Sequence, residues 1–166
     1  MRGKLAILAM LALAVAATGF AIWYQRQMTF HVLRWAGPAS ARCISRAERV
    51  EYLELRPSAT GSEKDPGDTL SLPHTQLVIT RRTDISKAAG LVHLRHALLQ
   101  NASYDWQVPA DRSGSWQFAL RFVDGQHLST LLFDLDHQCV LNLERGQMAV
   151  LGAKINQGLR DYSAKL

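Results

Sequence analysis

The sequence predicts an α+β domain behind an N-terminal transmembrane helix, and three observations carry that prediction. Residues Leu5 to Tyr24 contain no charged side chain. The segment Trp116 to Val123 sorts into two alternating faces and runs into the turn pair Asp124-Gly125. Two later segments, 84–102 and 155–166, repeat apolar residues every three or four positions. A period of two is that of a strand, and strands joined by tight turns must pair antiparallel. A period near 3.6 gives a helix with one apolar side, which needs a sheet or another helix to cover it. The expected architecture is a two-layer sandwich, an antiparallel sheet in the order ββαββββα with both helices on one face.

Twenty residues at about 1.5 Å each reach roughly 30 Å, the thickness of a bilayer's hydrocarbon core. The positive start, Met1-Arg2-Gly3-Lys4, suits an uncleaved anchor and a cleaved signal equally. Ala14 and Ala16, or Val15 and Ala17, offer cleavage positions that would leave a terminus near Thr18. The apolar run continues past them through Phe20, Ala21 and Ile22, beyond the roughly 7–15 residues of a signal core. It closes on Trp23 and Tyr24, residue types that settle at head groups. We therefore expect a signal-anchor over 1–24, a juxtamembrane segment over 25–47, and the globular domain over 48–166. Cysteine is missing near the cleavage positions, so lipoprotein processing has no acceptor. A slight positive-inside bias favours export of everything after residue 24. Fourteen arginines against five lysines, with abundant Ala and Leu, suggest a GC-rich bacterial genome, which places the exported domain in the periplasm on a single-pass inner-membrane anchor.

The charge balance argues against a nucleic-acid partner. The net charge is +5, but residues 1–34 hold four of the nineteen basic residues and no acid, leaving the remainder close to neutral. No basic run exceeds Arg81-Arg82, so no electrostatic footprint for phosphate appears.

Along the chain, residues 25–37 fit a short strand or a continued helix, ended by Gly37-Pro38. Arg49 to Leu55 reads as a strand stopped by Pro57. The polar stretch 57–75, with three prolines, reads as a flexible loop. Gln76 to Arg82 is a second strand, β-branched at its centre. Asp84 or Ser86 then caps a helix to about Ala102, with Ala88, Leu91, Val92, Leu94, Leu98 and Leu99 on one side. Trp116, Phe118, Leu120 and Phe122 should face the helices. Strands at 127–135, 138–143 and 148–151 follow, and a final helix aligns Ile155, Leu159, Tyr162 and Leu166.

The candidate chemistry is thin. His93 and His96 are one helical turn apart, a spacing that suits two metal ligands, with His137-Gln138-Cys139 as further donors. The wheel turns His93 away from the leucines, which favours solvated histidines. Asp134-Leu135-Asp136 sets two carboxylates near a strand end, as a Mg²⁺ or Ca²⁺ site would, though acids are common at turns. Arg95 falls among Leu91, Leu98 and Leu99, so its guanidinium needs an edge or a buried acid, and Asp134 is the expected partner. Tyr104 and Trp106 lie on a loop, where exposed aromatics anchor interfaces and buried ones cap a sheet. Cys43 and Cys139 form a candidate disulfide in an oxidising compartment, or two buried thiols. No nucleophile sits in a recognisable catalytic signature. The functional expectation is a membrane-anchored, non-catalytic domain that binds another cell-envelope protein, as an inhibitor, an immunity-type protein or an assembly component. The alternative is a metal-dependent envelope enzyme using His93 and His96 or Asp134 and Asp136. Neither a cofactor nor a resident metal is expected.

Overall fold

The computed structural model describes residues 2–57, 69–73, 75–110 and 115–166; within the first helix the side chains of residues 2–9, 22 and 25–28 fall outside the described set. Helix α1 runs Arg2–Arg46 and breaks at Gly37, whose φ of 79° and ψ of 154° are not helical. Pro38 explains the break. Its ring disfavours helical geometry in the residue before it, and glycine alone adopts the resulting conformation without strain. The segment 25–37 is thus helical, not a strand. The helix changes character along its length. Met10, Leu11, Leu13, Val15, Phe20, Trp23 and Tyr24 are exposed, whereas Val32, Trp35, Ala36, Cys43, Ile44 and Ala47 are buried. Residues 32–47, expected as a juxtamembrane connection, are therefore part of the core. Among the described residues no helix is long and apolar enough to cross a membrane, and the side chains of residues 5–9 and 22 of the expected span lie outside that set.

The sheet is antiparallel, as the hairpin turns require, and has eight strands among the described residues: β1 (Arg49–Pro57), β2 (Thr69–Leu72), β3 (Thr75–Asp84), β4 (Tyr104–Asp105), β5 (Phe118–Asp124), β6 (His127–Asp134), β7 (Cys139–Asn142) and β8 (Gln147–Leu151). Their order is β2-β3-β1-β5-β6-β7-β8-β4. The chain is α+β. Two strands exceed the expected order: β2 lies inside the stretch expected as a loop, and β4 is only two residues long. The rest of that loop, residues 58–68 and 74, lies outside the described residues.

Helix α2 spans Leu91–Leu98, about half its expected length. Asp84 and Ser86 do not cap it. Asp84 Oδ1 accepts the Ser86 N–H and hydroxyl at 2.9 and 2.5 Å, and the Ser86 hydroxyl accepts the Val50 N–H at 2.9 Å. Those local bonds hold residues 84–86 in a turn and compete with helix. Gly90, at φ 85°, then starts the helix. Leu91, Leu94 and Leu98 are buried, but Val92 is 77% exposed, so the apolar side is narrower than predicted. Helix α3 spans Ala153–Ser163.

Phe118, Leu120, Phe122, Leu131, Phe133, Val140, Ala149 and Leu151 form the floor of the main core, beneath Leu94 and Leu98 of α2, Leu159 of α3 and the second half of α1. The helix layer thus has three contributors, not two. Trp116 does not share the face of Phe118. It precedes β5, outside the alternating run, and lies on the other side of the sheet in a second apolar cluster with Leu53, Leu55, Leu77, Ala119, Leu132 and Leu141.

Candidate functional site

Strand parity decides most of the sequence-derived candidates. Asp134 alternates with Phe133, so it projects to the face opposite the helices, where its side chain is fully buried. Its Oδ1 accepts the Asp136 and His137 N–H groups, both at 3.1 Å, and its Oδ2 lies 3.0 Å from His137 Nδ1. The carboxylate therefore organises the β6–β7 turn. Arg95, on α2 across the sheet, instead donates to the Ala47 carbonyl at 2.7 Å, at the C-terminal end of α1. The expected Arg95–Asp134 pair is replaced by two local arrangements.

The other candidates disperse. Asp136 pairs with Arg160 at 3.0 Å and accepts from Gln117 at 2.6 Å, tying the turn to α3 and to the start of β5. His93 and His96 are both exposed, and His96 lies 2.6 Å from the Gln100 amide nitrogen. Among the described residues no group of three or more His, Cys, Asp or Glu converges to hold a metal. Cys43 and Cys139 are buried without a bridge. Cys43 belongs to the helix-side core, with its thiol directed at the Phe122 and His127 carbonyls, while Cys139 has the parity of Leu141 on the other face. A disulfide would have to pass through the sheet. Burial pushes the Cys43 thiol above its ordinary pKa, and the Asp124 charge adds to that, so it stays protonated and unreactive at neutral pH.

The loop aromatics lead somewhere else. Tyr104 is buried, pairs with Leu151 in the sheet, and donates its hydroxyl to the Leu98 carbonyl at 2.7 Å. That carbonyl belongs to the last turn of α2, whose terminal acceptors have no partner within the helix. Burial pushes the phenol far above its ordinary pKa. Trp106 is half-buried and donates to the Asn101 carbonyl at 3.1 Å. Rings then succeed one another: Trp35 to Tyr104 at 5.2 Å, Tyr104 to Trp106 at 4.9 Å, and Trp106 stacked on His31 at 5.6 Å. Trp35 also donates its indole N–H to the Gln147 carbonyl of β8 at 2.9 Å. Such ring contacts are worth about 0.5–1.5 kcal/mol each beyond area burial. They fasten α1 to the β4–β8 edge.

Beside this stack is an open cleft of about 370 Å³, lined by His31, Arg34, Trp35, Trp106, Gln147 and Met148. The sequence singled out Trp106 but not its partners on α1. His31 and Trp35 are one helical turn apart, the one signal that they share a face. Arg34 adds a positive charge, and none of the described residues lining the cleft is a carboxylate. Aromatic surface, an arginine and backbone at a sheet edge are the kinds of group that recognition surfaces use. No known protein family, curated protein or solved structure matches this chain.

Proposed function

We propose that this protein is a single-pass, membrane-anchored domain that binds another cell-envelope protein without catalysing a reaction, with the domain in the periplasm of a bacterium. The observation that carries this reading is the change of character along α1. Seven large apolar side chains between Met10 and Tyr24 are 50–74% exposed, while on the same helix Val32, Trp35 and Ala36 are buried in the domain. A contiguous apolar surface of that kind is costly in water and is ordinarily covered by lipid or by protein. The uncharged run from Leu5 to Tyr24 supports lipid. The cleft beside Trp106 supports a recognition role, as an inhibitor, an immunity-type protein or an assembly component.

Two measurements test this. Mass spectrometry of the membrane fraction should find a chain beginning at Met1 or Arg2; a mature terminus near Thr18 would overturn the anchor. A photoreactive phenylalanine analogue placed in turn across the exposed surface, in cells, should give discrete protein adducts at a cluster of positions. Adducts nowhere on the surface would overturn the binding role.

A further inference from the structure

We infer that the cleft takes an extended, acidic peptide segment of the partner, which pairs with the open edge of β8 at Met148. The inference rests on the binding role proposed above and names its partner's chemistry.

Hydrogen-bond parity identifies the open position. The Leu151 N–H donates to the carbonyl of Gln138, the position one step beyond the Cys139–Val150 pair that opens the β7–β8 register. In an antiparallel ladder such hydrogen-bonded pairs recur every second residue. Ala149 and Gln147 therefore direct their backbone groups at β7, while Val150 and Met148 direct theirs outward. On that outer side, the Gly152 N–H donates to the Ser103 carbonyl, and Asp105 lies opposite Val150. The next partner, opposite Met148, would be Gln107. It is missing from the ladder because the Gln107 N–H donates to Asp105 Oδ1 at 3.1 Å, in a turn that peels the chain away. Strand β4 ends at Asp105, and among the described residues no strand continues its place.

The open rung lies in the cleft. Met148 and Gln147 form one wall, and Trp35, His31 and Trp106 form another. An extended backbone entering there gains a hydrogen-bonded pair with Met148, and its side chains alternate between the aromatic wall and solvent. The charge of the segment follows from the lining. Arg34 is exposed at the rim, with no carboxylate among the described lining residues, so an acidic side chain on the incoming segment finds a cation there.

The test uses the full chain in detergent micelles, labelled for amide NMR. The probe is a capped five-residue peptide of alternating valine and glutamate. It should shift the Met148 amide and the Trp35 indole signal, and a lysine counterpart should bind more weakly. N-methylation of alternate peptide amides should separate the two registers. Methylating the set that faces β8 should weaken binding about tenfold, as expected for losing one or two backbone hydrogen bonds, and methylating the other set should not. Arg34→Gln should weaken the acidic peptide about threefold to fivefold without weakening the lysine peptide, which loses a like-charge neighbour. Shifts at Thr69 and Ser71 on the β2 edge instead, equal tolerance of both methylation patterns, or perturbation of Arg34 by anionic phospholipid micelles but not by the peptide would each overturn the inference. Photo-adducts elsewhere on the surface, with no peptide effect at Met148, would refute this edge while leaving the binding role intact; adducts nowhere would refute both.

Discussion

Replacing Tyr104 by phenylalanine should destabilise the domain at neutral pH and cease to matter near pH 11. The ring remains buried in the variant, so the change is confined to one hydroxyl. That hydroxyl meets the Leu98 carbonyl at 2.7 Å, in a site where Tyr104 is 6% exposed. Leaving a buried acceptor without its donor costs about 1–2 kcal/mol. The phenol is also held protonated by burial, with its folded pKa raised far above that of the unfolded chain. A raised pKa gives stability that is fully present below the unfolded value, near 10, and is lost as pH climbs beyond it. Above that point the unfolded chain releases a proton that the folded one keeps, so the wild type loses about 1.4 kcal/mol per pH unit. Phenylalanine has no such loss. A gap of about 1.5 kcal/mol at pH 8 should therefore close near pH 11. Urea unfolding of the full chain in non-ionic detergent, at pH 8, 9, 10 and 11, measures it. Other raised groups such as Cys43, Tyr52 and Tyr162 are common to both proteins and cancel in the difference. A gap that stays constant from pH 8 to pH 11 would refute the reasoning, because it would mean that the Tyr104 hydroxyl ionises in the folded protein as readily as in the unfolded one.

Three further outcomes follow from the packing. Phe118→Ala should cost about 3–5 kcal/mol in the same unfolding assay, since Phe118 is 3% exposed and stacked between Tyr52 and Phe133; a loss under about 0.5 kcal/mol would place that face in solvent. Arg95→Met and Asp134→Leu should each destabilise yet add to within about 0.5 kcal/mol in a double-mutant cycle, because the two side chains serve opposite faces of the sheet; strong coupling would contradict the separation. Gly37→Ala should cost about 1–3 kcal/mol, since φ is 79° and a Cβ would stand 2.6 Å from the Arg145 guanidinium; a neutral result in thermal unfolding would show that the break in α1 relaxes.

The sheet was legible because its strands announce themselves locally. Phe118, Leu120 and Phe122 alternate cleanly, and Asp124-Gly125 gives the next strand its direction; the observed pairing of Asp124 with His127 is that hairpin. Strands β2 and β4 were not legible, since four and two residues are too few to show a period, and pairing with a neighbour is what makes them strands. The length of α2 was not legible, because helical spacing extends back to Ala88, while the Asp84–Ser86 bonds that prevent helix there are joined by Val50, a residue distant in sequence. The wheel puts Arg95 inside the apolar side; in the fold it is half-buried and its guanidinium reaches the Ala47 carbonyl. Its partner was not legible, because Asp134's parity with Leu132, which sends it to the other face, shows only once the strands are paired. The same parity separates Cys139 from Cys43. The cleft joins Trp106 to His31 across 75 positions of chain, and no local pattern reports a contact of that range.

The unbroken helix between Tyr24 and Val32 has a consequence for reach. A flexible connection of eight residues would let a domain wander over a hemisphere above its anchor. Eight helical residues are a post of about 12 Å, and the domain is fused to its top by Val32 and Trp35. With the anchor in the bilayer as proposed, the cleft would be confined to a thin shell above the head groups, facing a direction set by the roll of the helix. Segments emerging from neighbouring membrane proteins cross that shell, and their local concentration there is high. Chains that reach the membrane only in passing rarely do. On that proposal the geometry of the post, ahead of any contact in the cleft, would sort which partners are sampled, and a form cut at residue 24 would lose that sorting while keeping the cleft.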